Sequence, residues 1–140
     1  MHALYYEGKL QLRNAEQHII DFVYSLISSR EDVRIAKVEK VRNGIDVYIS
    51  SQKYLQIIGK KLQKQFRGEL KISRRLHGRS RSSSRDLYRL TVLFRLPKFK
   101  KGDRIVYKGK ELLVVDMQKK VFCREVKTGR KWSISYGKLC

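Results

Sequence analysis

The sequence predicts an α+β protein. An antiparallel sheet with two helices on one face, in the order strand, then helix and hairpin twice, is followed by a small SH3/OB-like β-barrel module. Two stretches repeat apolar residues at helical spacing, and each precedes a pair of segments in which apolar residues alternate. Pro97, the only proline, closes that pattern and leaves four short strand candidates behind it. The division predicted is 1–97 for an α+β RNA-binding domain and 98–140 for the β-barrel module.

Tyr6, Leu10 and Leu12 keep period two through 5–13 and predict the first strand, which Gly8 weakens. Asn14, with Gln17 three residues on, reads as an N-cap, and Ala15, Ile19, Phe22, Val23, Leu26 and Ile27 place a helix over 15–28. The segments 33–42 and 45–50 flank Asn43-Gly44, a dipeptide suited to the positive φ angles of a type I′ turn. Ser50 or Ser51 caps a second helix with the stripe Tyr54, Leu55, Ile58, Leu62 and Phe66, and Gly68 supplies its left-handed stop. Leu70, Ile72 and Leu76 alternate in the next strand, and Tyr88, Leu90, Val92, Phe94 and Leu96 in the one after. Their connection, 78–85, holds no apolar residue and predicts a mobile exposed loop. Beyond Pro97, the segments 104–107, 111–116, 121–126 and 131–135 are short enough to close into a small barrel.

The formal net charge of +20 is lopsided: 67–140 carries 22 Lys and Arg against 6 Asp and Glu, whereas 1–66 carries 11 against 7. That excess goes beyond what solubility asks of a small domain and points to a polyanion. Nine of the cations fall within 67–95, mostly arginine, whose planar fork suits phosphate oxygens. A membrane surface is disfavoured, because no basic amphipathic helix with an apolar insertion face accompanies the charge. No apolar run approaches the ~20 residues of a membrane span, and 1–14 lacks the apolar stretch of a secretory signal, so a cytoplasmic protein is expected. Cys123 and Cys140 make neither a CxxC pair nor a disulfide framework, and His2, His18 and His77 are too scattered for a metal site. No cofactor is expected.

Arg74, Arg75, Arg79, Arg81, Arg85 and Arg89 are assigned to RNA as one basic arm on the second hairpin, with Lys98, Lys100 and Lys101 as a second phosphate contact. The plain alternatives are a solvated loop and a linker kept soluble by lysine. Tyr5, Tyr6, Tyr48, Tyr54, Tyr88, Phe99, Tyr107, Trp132 and Tyr136 are interleaved with the charge and suit base stacking, although most read as core. Tyr88 fits the apolar alternation of its strand, and Trp132 reads as barrel core with its indole N–H satisfied. Tyr48 falls out of phase with Ile45, Val47 and Ile49 and is expected to be exposed. No Ser/His/Asp spacing, glycine-rich phosphate loop or HExxH is present, so neither an enzyme nor a small-molecule substrate is predicted.

The segments YYEGKLQLR at 5–13, NGIDVYISS at 43–51, RDLYR at 85–89 and RLP at 95–97 resemble the archaeal form of the ribosomal large-subunit nuclear export adaptor, a family named after nonsense-mediated mRNA decay. The resemblance covers nearly the whole chain. It implies a large-subunit assembly factor that binds rRNA and the large ribosomal subunit. It further implies an α/β domain similar to a eukaryotic-type large-subunit ribosomal protein, and a following module similar to translation initiation factor five A. The family's cysteine-rich zinc domain has no counterpart before Tyr5, and the export signals of the eukaryotic members are missing, so neither of those functions carries over. The expected function is non-enzymatic binding to large-subunit rRNA during ribosome assembly. Its rival is a protein-interaction module whose strand edges or barrel recruit another assembly or translation factor.

Overall fold

The structure, a computed structural model, describes residues 5–79 and 86–139; at 77, 79, 86 and 87 it describes the backbone alone. The chain runs β1 (Gly8–Arg13), α1 (Gln17–Ser28), β2 (Ile35–Val41), β3 (Gly44–Ile49), α2 (Gln52–Phe66), β4 (Glu69–Arg79) and β5 (Asp86–Arg95). After these come β6 (Arg104–Tyr107), β7 (Lys110–Met117), β8 (Val121–Glu125), β9 (Lys131–Ile134) and the single turn α3 (Tyr136–Leu139). Five strands form one sheet in the order β2-β3-β1-β5-β4, and four form a second in the order β6-β7-β8-β9. Among the described residues no helix is long and apolar enough to cross a membrane.

The first sheet is mixed rather than antiparallel. β1 and β5 run parallel, with Gly8 beside Leu90 and Arg13 beside Arg95, while the other neighbouring pairs are antiparallel. β1 is therefore the central strand, and the chain returns along its second edge only after both helices have crossed the sheet. Leu10, Leu12, Val47, Ile49, Leu90, Val92 and Phe94 line one face and meet Ile19 and Val23 of α1 and Leu55, Ile58 and Leu62 of α2. These side chains have at most 1% of their surface exposed, so a truncation such as Phe94→Ala costs about 3 to 5 kcal/mol.

The local signals that end each element act differently from their sequence reading. α2 does begin on Ser51, whose hydroxyl accepts from the Tyr54 amide at 3.1 Å. α1 begins on Glu16 without a side-chain cap, because Asn14 sits at φ 57 and is used elsewhere. The Asn14 amide donates to the Asn43 carbonyl at 2.7 Å, and its Nδ2 donates to the Leu96 carbonyl at 2.8 Å, so it ties the end of β1 to its neighbours. Val41 pairs with Gly44, which makes Arg42-Asn43 the β2–β3 turn, and neither residue has the positive φ of a type I′ turn. Gly44 serves the sheet instead: a Cβ there would stand 1.8 Å from the Leu12 carbonyl oxygen. The paired positive φ values occur at Lys108 (50°) and Gly109 (76°), between β6 and β7. At the end of α2 the left-handed residue is Arg67, at φ 57, and Gly68 is needed because a Cβ would lie 2.6 Å from the Arg95 carbonyl oxygen.

The second sheet has its own apolar cluster of Leu112, Val114, Met117, Val121, Cys123, Ile134 and Tyr136. It is not the closed barrel expected. Among the described residues β6 hydrogen-bonds only to β7 and β9 only to β8, and both are four residues long, too short to curl round and meet. Trp132 also departs from expectation, since it is partly buried against this cluster with its Nε1 unpartnered. Its ring is flanked instead by cations, Arg130 at 5.0 Å and Lys110 at 5.2 Å.

Candidate nucleic-acid interface

Strand pleating sends alternate side chains to the face of the first sheet opposite the helices. The register aligns them in rows: Lys37, Tyr48, Lys9, Thr91 and Ser73 form one, and Arg75 stands beside Arg89. Tyr6 lies over this face with its ring centre 4.8 Å from that of Tyr48. The Arg89 guanidinium packs 3.9 Å from the Tyr6 ring centre, and its Nη1 donates to the Tyr6 hydroxyl at 3.0 Å. All of these except Lys37 line a groove of about 560 Å³.

Charge is neutralised at some positions of the face and left open at others. Arg13 pairs with Asp46 at 2.7 Å, Lys37 with Glu39 at 3.5 Å and Arg95 with Glu69 at 3.8 Å. Among the described residues no carboxylate lies within ion-pair distance of Lys9, Lys71, Arg75 or Arg89. Tyr48, expected to be exposed, is only 8% exposed and forms the floor, with Lys37 Nζ 4.7 Å and Lys9 Nζ 5.8 Å from its ring centre. Its hydroxyl donates to Glu39 Oε1 at 2.5 Å. That bond, and burial after it, push the Tyr48 phenol up to about 12, while the same bond and Lys37 hold Glu39 below the usual carboxylate range. Tyr88, expected in the core, is 45% exposed. It keeps the core phase of β5, but it pairs with exposed Leu76 where the hairpin runs past the start of α2.

The sequence-assigned cations do not stand together. Arg75 and Arg89 share the open face, whereas Arg74 alternates to the other side of β4 and borders the groove from the sheet edge. Arg79 is described by its backbone alone, paired with Asp86, and Arg81 and Arg85 lie outside the described residues. Lys98 lines a hollow with Arg13 and Arg95. Lys98 also joins Lys100 and Lys101 in an adjoining cleft, as the sequence grouped them, and that cleft also holds Glu16, Asp103 and Asp116. Asp116 is held below the usual carboxylate range first by the Gln118 amide, then by its bond to the Met117 amide. Sequence reasoning left out Lys9 and Lys71, and named Tyr6 only among the possible stacking residues. The signal was available, because Lys9, Lys71, Ser73 and Thr91 are the out-of-phase members of strands whose apolar members define the core.

Fold and surface define an α+β protein with a cationic, tyrosine-bearing sheet face. Residues 5–96 match the second domain of the NMD3 family, and the chain belongs to that family. This is a family of ribosome-associated adaptors in large-subunit biogenesis and export, not a known enzyme family. No curated protein matches the chain.

Proposed function

We propose that the chain is a non-enzymatic rRNA-binding factor of large-subunit assembly, and that the open face of the first sheet holds the sugar-phosphate backbone. The observation that carries this reading is the grouping of Lys9, Arg75 and Arg89 around Tyr6, with no described carboxylate in pairing distance. Arg89 is already laid against a ring and bonded to its hydroxyl, so gripping a phosphate costs it little further side-chain freedom. Arg79, Arg81 and Arg85 are proposed as further phosphate contacts, and Lys98 continues the surface beside Arg13 and Arg95. Arg74 adds to the rim from the sheet edge, while Lys100 and Lys101, which share a cleft with Lys98, Asp103 and Asp116, contribute less because they line only that carboxylate-bearing cleft. We read the chain as the archaeal, cytoplasmic form of the family, built as two units that meet at Pro97.

Filter binding of a large-subunit rRNA fragment across a salt series tests the proposal. Affinity is expected to fall steeply with salt, and Arg75→Ala with Arg89→Ala to flatten the log–log slope by about 2. Binding that ignores tenfold more salt, or a slope that the double variant leaves unchanged, overturns it.

A further inference from the structure

A second surface differs in character from the open face. A groove of about 820 Å³ runs between the C-terminal half of α2, the edge strand β4 and the turn ahead of β8. Its rim carries Lys60, Lys64, Arg67, Lys119 and Lys120, and no carboxylate is among its described lining residues. Its floor is aliphatic and aromatic: Leu70 is partly buried, but Ile72 and Phe122 are 41% and 39% exposed. Gln63 donates from Nε2 to the Gln118 carbonyl at 2.9 Å, so the two walls are tied to each other. Among the described residues β4 hydrogen-bonds to β5 alone, so its outer edge has no strand partner beside the groove.

We propose that this groove docks an acidic segment of a partner protein that carries an aliphatic or aromatic anchor. Four lysines and Arg67, with no carboxylate among the described lining residues, set the sign of the partner. The floor decides its class: Ile72 and Leu70 give an apolar side chain a place to leave water, which a sugar-phosphate backbone does not use. Four of the five cations are lysine, point charges that meet carboxylates without the planar fork favoured for phosphate. An extended segment beside β4 also gains main-chain hydrogen bonds from the open edge.

The test is fluorescence anisotropy of the whole chain with three labelled probes: a twelve-residue peptide of Glu, Leu and Phe, a peptide of equal charge made of Glu, Gly and Ser, and oligo-uridine RNA. The Leu/Phe peptide is expected to bind more tightly than the Glu/Gly/Ser peptide, and Ile72→Ser with Phe122→Ser to weaken it by about tenfold while the RNA probe, held by the open face, keeps its affinity. Both residues are surface-exposed, so the variant is expected to keep the circular dichroism of the parent, and it leaves rRNA binding through Arg75 and Arg89 unchanged. Three results overturn the proposal: equal binding of the Glu/Gly/Ser peptide, peptide binding indifferent to the double serine variant, or a selective loss of RNA binding in that variant.

Discussion

Gln63 grips Gln118 across the seam between the two sheets: its Nε2 donates to the Gln118 carbonyl at 2.9 Å while its Oε1 accepts from the Gly68 amide at 3.1 Å. One side chain thus closes α2 and fixes the turn that leads into β8. Gln63→Ala leaves the buried Gly68 N–H without that acceptor, at a cost of about 1 to 3 kcal/mol. Trp132, the only tryptophan, packs on the second cluster, so its fluorescence follows that sheet while far-UV circular dichroism follows both. In urea the variant is expected to lower the fluorescence midpoint more than the dichroism midpoint; two unchanged, coincident midpoints contradict the tie.

Tyr48 and Glu39 give the protein an alkaline limit. The folded state holds the phenol proton more tightly than the unfolded chain, so the contribution is complete below the ordinary value of 10.0 and is lost as pH rises through about 12. Glu39 works in the opposite sense: its share is present above the ordinary 4.5 and fades as pH falls through its lowered value. A spectroscopic tyrosinate titration is expected to show one late component near 12 that Tyr48→Phe abolishes and Glu39→Gln shifts back toward 10. Tyr5, raised by its bond to Glu7, remains late in the first variant and serves as the internal control.

Two substitutions of one atom group each rank the local devices. Ser51→Ala removes a helix cap and is expected to cost ~1 kcal/mol in chemical denaturation. Gly44→Ala drives a methyl into the Leu12 carbonyl, which only a slip of β3 against β1 relieves, so the expected cost exceeds about 3 kcal/mol. Equal effects of the two would refute the close approach.

Tyr6 is a positioning residue for Arg89, and the two are expected to be coupled. Tyr6→Ala lowers rRNA affinity by about tenfold without changing the salt slope, whereas Arg89→Ala lowers the slope by about 1. The double variant is expected to fall short of the sum, because the ring has nothing left to hold. A strictly additive cycle assigns the two residues separate roles.

Much of this architecture was legible where a local rule and the tertiary structure agree. The stripe of α2 and its Ser51 cap are cases, as is the alternation of Leu90, Val92 and Phe94. Readings failed where a distant partner decides. Asn14 has the chemistry of a cap, but Leu96, 82 residues away, takes its side chain. Gly44 has the chemistry of a turn, but the neighbouring strand claims the space of its missing Cβ. Tyr48 and Tyr88 exchanged their expected exposures, because alternation tells which face a residue takes and not what covers that face. The parallel β1–β5 pairing left no mark at all, since parallel and antiparallel strands share the same period. At the interface, counting arginines along the chain grouped residues that β4 sends to opposite sides, and passed over Lys9, which lies 80 residues from Arg89.

The middle position of β1 bears on how this protein is made. The first strand to be synthesised finds one mate in β3, within a few dozen residues, and must wait for β5 to find the other. Until residue 95 has left the ribosomal tunnel, a row of backbone amides and carbonyls along β1 stays open to any passing extended chain. A fragment truncated after α2 would keep both helices and still be prone to self-association through that unpaired edge.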